Sequence, residues 1–242
     1  MEDEHRPGFA KAFKRDIGKE DDVSKEQWPV SVSSSVLMNE MRKRIFLFLC
    51  KNPASHLRVI AQNLGVSSTT ASWHLKKLLQ GQFITQRTIK KKSVYYPSFL
   101  VEPEEVELFS LLATEKYRNL YKRIIKNPGI NQKNLSKELD ISHQSVLFLS
   151  KKLLSFGLIS KLSDGKFIRY YPTNLLETRS EEMKKRNKQF RLDIIKFLKR
   201  DGLDPKLVKR TDNFLLVDLL VGSGRERVRI ETNPYRSILI DD

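Results

Sequence analysis

Cysteine is almost missing from this chain: Cys50 is the single one among 242 residues. One thiol excludes an intramolecular disulfide framework and any multi-cysteine metal site. Long apolar runs are missing as well. No stretch approaches the ~20 uninterrupted apolar residues of a membrane-spanning helix. The opening run MEDEHRPGFAKAFKRD is charged throughout and has no apolar h-region, so no secretory signal is read there. A Gly-rich phosphate loop, a nucleophile elbow and paired metal-binding histidines are also lacking. These absences predict a cytoplasmic protein without metal, cofactor or catalytic centre.

Positive charge is abundant. Forty-five Lys and Arg stand against 29 Asp and Glu, a net charge of +16. Residues 1–34 hold 6 basic and 8 acidic side chains, so the remainder of the chain carries +18. The excess therefore belongs to the folded part, and the polar, mixed-charge residues 1–34 are expected to form a flexible tail with a short helix near residues 9–15. A polyanion is the natural counterpart, because each cation set against a phosphate releases a condensed counterion. Charge alone fits DNA, RNA or an anionic membrane surface equally.

The chain repeats itself. Lys51-Asn52-Pro53 returns as Lys126-Asn127-Pro128, and Tyr95-Tyr96-Pro97 returns as Tyr170-Tyr171-Pro172, both offset by 75 residues. In the same register Leu64 matches Leu139, Ser67 matches Ser142, Ile84 matches Ile159, and Lys76-Lys77-Leu78-Leu79 matches Lys151-Lys152-Leu153-Leu154. Two copies are too few for a solenoid and indicate a duplicated supersecondary unit.

Each copy reads alike. Leu37, Met41, Ile45, Phe48 and Leu49 fall at helical spacing, as do Phe109, Leu112, Leu120 and Ile124 in the second copy. Asn52-Pro53 and Asn127-Pro128-Gly129 stop those helices. A short helix with Leu57, Ile60, Ala61 and Leu64 inward leads through Gly65-Val66 to Ser67, an N-cap for a third helix reaching about Gln80. Residues 83–87 and 93–97 read as strands joined by a loop over residues 88–92. Helix, helix-turn-helix and β-hairpin make a winged helix-turn-helix domain.

In such a unit the third helix enters the major groove. Ala71, Leu75, Leu78 and Leu79 supply its inward stripe, and Ser68, Thr69, Ser72, Trp73 and Lys76 its outward face. Hydroxyls donate and accept toward base edges or phosphates, and an indole stacks on sugar or donates. Arg87, Lys90, Lys91 and Lys92 cluster at the wing. His74 has no partner at ligand spacing and reads as a packing histidine. Cys50 reads as a small buried hydrophobe.

The run Leu64-Gly65-Val66-Ser67-Ser68-Thr69-Thr70-Ala71-Ser72-Trp73-His74-Leu75-Lys76-Lys77-Leu78, with a basic wing ending in Tyr95-Tyr96, resembles the recognition segment of ArsR/MarR-type winged-helix regulators, especially archaeal ones. The tandem arrangement resembles archaeal two-winged-helix transcription regulators of the archaellum-regulator type. The resemblance covers residues 36–172 and implies DNA contacts from Ser68, Thr69, Thr70, Ser72 and Trp73, with Lys90, Lys91 and Lys92 on the wing. The metal-binding cysteines of ArsR-type sensors are absent, so metal sensing is not implied.

The second copy departs where recognition is decided. Leu147 and Phe148 stand where Ser72 and Trp73 do, inside Val146-Leu147-Phe148-Leu149, and a helix cannot turn all four of these to one side. Its wing tip, Ser163-Asp164-Gly165-Lys166, has lost the lysine cluster. His143, Gln144, Lys151, Lys152 and Arg169 remain for phosphate contacts, while support or protein binding is the other use of this copy. Beyond Pro172, residues 181–200 form a basic candidate helix with Phe190, Ile194, Ile195 and Leu198 on one side, available to pair two subunits or to lie along DNA. Strands over 214–221 and 227–232 flank Gly222-Ser223-Gly224, with a third at residues 237–240.

The expected architecture is mainly α with small β-wings (α+β). It comprises a tail (1–34), two tandem winged helix-turn-helix domains (35–101 and 102–174) and a small α+β appendage (175–242). The expected function is sequence-specific double-stranded DNA binding in transcription regulation at the nucleoid, with the basal transcription machinery as a further partner and no membrane association. Two rival classes stand beside it. Winged helices also serve as scaffolds in transcription assemblies. Asp218 and Glu231 faintly resemble the acidic pair of PD-(D/E)xK nucleases, although Asn233 stands where the lysine belongs. RNA is a weaker partner, lacking the aromatic stacking platform that single strands need.

Overall fold

The computed structural model describes residues 36–239. The expected tail, its short helix at residues 9–15 and Ile240 lie outside them. The chain begins with α1 (Glu40–Lys51), β1 (Ser55–His56), α2 (Leu57–Leu64), α3 (Ser68–Gln80), β2 (Ile84–Ile89) and β3 (Lys92–Pro97). A 3-10 turn (Pro103–Glu105) and α4 (Val106–Ala113) follow. Then come α5 (Glu115–Lys126), β4 (Ile130–Asn131), α6 (Gln132–Leu139), α7 (His143–Ser155), β5 (Ile159–Asp164) and β6 (Phe167–Pro172). The last segment holds α8 (Leu175–Arg186), α9 (Lys188–Arg200), β7 (Lys206–Arg210), β8 (Phe214–Val221), β9 (Gly224–Glu231) and α10 (Pro234–Leu239).

Every element from α1 to β3 has its counterpart 75 residues later, with the same bounds. The two sheets share one order, β1-β3-β2 and β4-β6-β5. Their registers match too: Ile84 faces Pro97 as Ile159 faces Pro172. This is an α+β architecture with two winged units in tandem and a three-stranded antiparallel sheet of order β7-β8-β9 in the last segment. Among the described residues no helix is long and apolar enough to cross a membrane.

Local chemistry explains the repeated bounds. Ser67 accepts a hydrogen bond from the Thr70 N–H at 3.0 Å, and Ser142 accepts one from Ser145 at 3.1 Å, so α3 and α7 start at the same point. Such a cap contributes about 1 kcal/mol. Gly65 ends α2 in the left-handed region at φ 67°, where a side chain is strained. Asp140 does the same after α6 at φ 50°, a conformation that Asp tolerates better than most residues.

Several expectations need correction. In α1, Ile45, Phe46, Leu49 and Cys50 are buried, whereas Met41 and Phe48 are half-buried and Leu37 precedes the helix. The apolar stripe is wider than one face because α1 packs on α3 from one side and on β9 from another. Phe109 and Leu112 do not continue into the helix of Leu120 and Ile124. The chain breaks at Thr114, which is extended at ψ 115°, into α4 and α5. Residues 181–200 are likewise two helices, α8 and α9, parted at Asn187, whose amide donates to the Thr232 carbonyl at 2.6 Å. Residues 234–239 are helical, as a proline at the first helical position favours. The third strand is β7, whose five exposed residues carry no alternation to reveal it.

The stripe expected on α9 is largely covered within the chain itself, with Ile195 half-buried. Phe190, Ile194, Phe197 and Leu198 are buried, and the Phe197 ring meets Phe83 of the first unit edge-on at 5.4 Å. The Asp201 carboxylate accepts the Val36 N–H at 2.7 Å and also that of Leu37, fixing the approach to α1. Lys43, on α1, is 3% exposed and lies between Glu40 at 2.7 Å and Glu226 on β9. Burial alone would lower the pKa of its ammonium, but the two carboxylates outweigh that and raise it.

A second knot gathers the linker and both later helices. Glu105 is 6% exposed; it accepts hydrogen bonds from Arg186 of α8 at 2.7 Å and from the Tyr235 hydroxyl of α10 at 3.0 Å. The Tyr235 ring stacks on Phe109 of α4 at 4.5 Å. The last segment thus grips the first unit through Asp201 and Glu226, and the approach to the second unit through Glu105. Glu105→Ala leaves the buried Tyr235 hydroxyl without its acceptor and the Arg186 guanidinium with only Glu102, at 3.5 Å. We expect it to lower unfolding stability by about 2–4 kcal/mol in denaturant titration.

Candidate nucleic-acid interface

The α3 helix divides cleanly into two faces. Ala71, His74, Leu75 and Leu78 are buried, with Leu79 half-buried, while Ser68, Thr69, Thr70, Ser72, Trp73, Lys76 and Lys77 are exposed. Trp73 is 53% exposed, an unusual state for a residue that large. Its ring stands edge-on to His74, with centroids 4.8 Å apart. Burial first, and then the charge of Arg42, lowers the pKa of the imidazole, so His74 is a neutral packing group beneath the exposed indole. Thr70 also serves the cap, its hydroxyl 2.8 Å from that of Ser67.

The wing is tighter than the expected five-residue loop. Ile89 pairs with Lys92, so Lys90 and Lys91 alone make the turn. Both lie in the left-handed region, at φ 47° and 66°. This is the two-residue hairpin geometry that Asn and Gly adopt with least strain. Two lysines there hold exposed cations at the tip at a cost of about 1 kcal/mol or more each. Arg87 is not part of the cluster: its guanidinium donates to the Pro103 carbonyl and ties the wing to the linker.

The second unit presents different chemistry on the same frame. Val146 and Leu149 are buried, while Leu147 is 44% and Phe148 69% exposed, so these two members of the apolar run turn outward. His143, Gln144 and Lys151 are exposed; Lys152 is half-buried, with its ammonium 4.6 Å from the Phe156 ring centre. At the tip Gly165 takes the left-handed position at φ 57°. Arg169 is held by Asp164 at 2.5 Å and by the Gly129 carbonyl at 3.1 Å.

Other candidates are not brought together. On the last sheet Asp218 pairs with Arg227, whereas Glu231 lies at the far end opposite Phe214. Four residues of strand separate the two carboxylates by about 13 Å. Asp218 is engaged by the Arg227 guanidinium, which foremost lowers its pKa, and Glu231 by Arg229 at 2.5 Å. Asn233 is buried and donates to Ser180. The nuclease-like constellation is therefore not assembled. Cys50 is fully buried, and burial pushes its thiol pKa far up. Sequence reading passed over Arg58 in the first turn of α2 and Lys77 on α3, both exposed. The signal for Lys77 was its place beside Lys76; a lone Arg58 gave none.

Comparison with known proteins agrees with this geometry. Residues 38–85 match the family model for winged helix-turn-helix DNA-binding domains. An uncharacterized HTH-type transcriptional regulator of the archaeon Methanocaldococcus jannaschii is 27% identical over 136 residues. That match covers 56% of this chain and 34% of the relative, so the chain spans about a third of its length. Among solved structures, ScpB from Mycobacterium tuberculosis aligns over 59% of this chain and 95% of its own at 13% identity and a TM-score of 0.24. The DIP2311 protein from Corynebacterium diphtheriae aligns over 55% and 26%, at 18% identity and a TM-score of 0.23. Superpositions that loose carry no functional argument.

The strained tip yields a test with two readouts of opposite sign. The double substitution Lys90→Asn, Lys91→Gly relaxes the turn and should raise stability by about 1 kcal/mol in thermal or denaturant melts. The same protein should bind duplex DNA more weakly in a titration. If both readouts fall, the tip lysines act in the fold and not at a partner.

Proposed function

We propose that this protein is a transcription regulator that binds double-stranded DNA sequence-specifically through its first winged unit. The observation that carries the reading is the pairing of an uncovered hydroxyl-and-indole face on α3 with an uncovered lysine tip on the neighbouring hairpin. Ser68, Thr69, Ser72, Trp73 and Lys76 meet the base edges and flanking phosphates of the major groove, with Thr70 at the helix entrance. Lys90, Lys91 and Lys92 grip the adjacent backbone. The name of the archaeal relative supports a regulatory role, and the winged helix-turn-helix match supports duplex DNA as the partner. The setting is the cytoplasm, at the nucleoid, where the basal transcription machinery is a further partner.

His143, Gln144, Lys151 and Lys152 of the second unit stand at the periphery of this interface. Exposed Leu147 and Phe148 favour a second reading for that unit alone, as a protein-binding scaffold.

Genome-wide footprinting identifies the bound site, and affinity for that duplex is then measured against salt. Each phosphate that a substitution leaves without its cation should flatten the log–log salt slope by about 0.9. Replacing Lys90, Lys91 and Lys92 by Ala should flatten it by up to about 3 and weaken binding about tenfold or more at low salt. Replacing Lys151 and Lys152 should change it by less than half as much. Equal effects from the two variants contradict the assignment of reading to the first unit.

A further inference from the structure

A half-open cavity of about 660 Å³ lies on the second unit, where the start of α5 meets the turn into α7. That volume falls within the ~300–1,000 Å³ of sites that hold small organic molecules. Tyr117 on α5, Leu139 and Ile141 at the turn, and Phe148 and Leu149 on α7 make its apolar wall. Leu149 is buried, whereas Phe148 is 69% exposed, the most exposed large apolar side chain among the described residues. The ring thus stands at the mouth of a hollow and has an apolar floor beside it.

The charged lining has one sign. Lys116 brings an ammonium, and Asn119 and Gln144 bring amides. Burial raises the pKa of Tyr117, so its phenol stays protonated and donates. No carboxylate lines the cavity: Glu115 and Asp140 adjoin lining residues in sequence without joining them. Lys116 has no acidic partner among the described residues. The first turn of α7, a helix of 13 residues, adds its positive end at the same rim through Ser142, Gln144 and Ser145. The cavity is apolar within and singly cationic at its edge.

The first unit differs at the same place. Seventy-five residues earlier Met41 stands for Lys116, Arg42 for Tyr117 and His74 for Leu149. The charge of Arg42 bears on that imidazole. A guanidinium and an imidazole there replace an aromatic and an aliphatic wall, so this lining belongs to the second copy alone.

We propose that the cavity binds a small organic monocarboxylate, its apolar body against Phe148, Tyr117 and Leu149 and its carboxylate at Lys116. Charge complementarity selects that class. One ammonium matches one negative charge, a polyphosphate needs more cations than the lining holds, and an organic cation is repelled by Lys116. Covering the exposed Phe148 ring supplies most of the driving force, and the charge-assisted contact to Lys116 orients the ligand. Binding here requires no DNA, so this proposal and the reading of α3 fail separately.

Isothermal titration calorimetry of the full chain without DNA tests it with naphthalene-1-acetate and octanoate, one flat probe and one linear. At least one should saturate a single site per chain with a Kd below about 1 mM. The uncharged amide of that probe should bind about threefold more weakly or worse. Lys116→Gln should weaken the carboxylate about threefold and leave the amide unchanged, a split that a folding defect does not produce. Phe148→Ser, at an exposed position, should weaken carboxylate and amide alike by about fivefold or more. Lys137→Gln, which alters an exposed lysine of α6 outside the lining, should change neither. The proposal is overturned if neither carboxylate saturates below about 1 mM, or if the amide binds as tightly as its carboxylate. It is also overturned if Phe148→Ser binds like the wild type. Equal losses from Lys116→Gln and Lys137→Gln overturn it too, since a chain of net charge +16 would then be attracting any anion.

Discussion

A single carboxylate, that of Glu105, sits out of solvent where three parts of the chain converge. It accepts from Arg186 after the second unit and from Tyr235 near the end of the described chain, while itself belonging to the linker after the first unit. A buried acid with three donors, the Glu102 N–H among them, is costly to leave half-satisfied, so the three segments are held as a set. Asp201 and Lys43 do the same on the other side, binding the approach to α1 and the strand β9. The consequence is mechanical. The last segment is a splint, and the two winged units are presented by a common support and not by a loose tether.

On that support the duplicated units separate what a winged helix must keep from what it can change. Capping serines, the left-handed residue after the second helix, and the buried Leu78/Leu153 pair all lie inward or at helix ends. Changing these alters packing or leaves backbone groups unpaired. The outward positions bear no such constraint. There one copy carries hydroxyls, an indole and strained lysines, and the other leucine, phenylalanine and isoleucine. The fold is common to both; the chemistry of the faces differs.

Much of this was legible from residue order alone. The repeat, Ser67 as a cap, the outward face of α3 and the bounds of β8 all follow from short-range rules of spacing and capping. What escaped was decided by tertiary contacts. Asn187 leaves the helix because a carbonyl across the molecule takes its amide, and no local signal marks that. Strand β7 has no inward residues to alternate with outward ones. The stripe on α9 looked available for a partner because only the folded molecule shows Phe83 occupying it. Arg87 was grouped with the wing lysines by proximity in sequence, whereas its guanidinium reaches the other way, to Pro103.

The central claim is that one face, that of α3, meets base edges while its counterpart on α7 does not. Site-specific photocrosslinking to a footprinted duplex tests this directly, with a photoreactive residue placed at position 73 in one protein and at position 148 in another. The account predicts adducts to bases in the major groove from position 73 and none from position 148. Adducts of equal yield from both positions, or from position 148 alone, would contradict it.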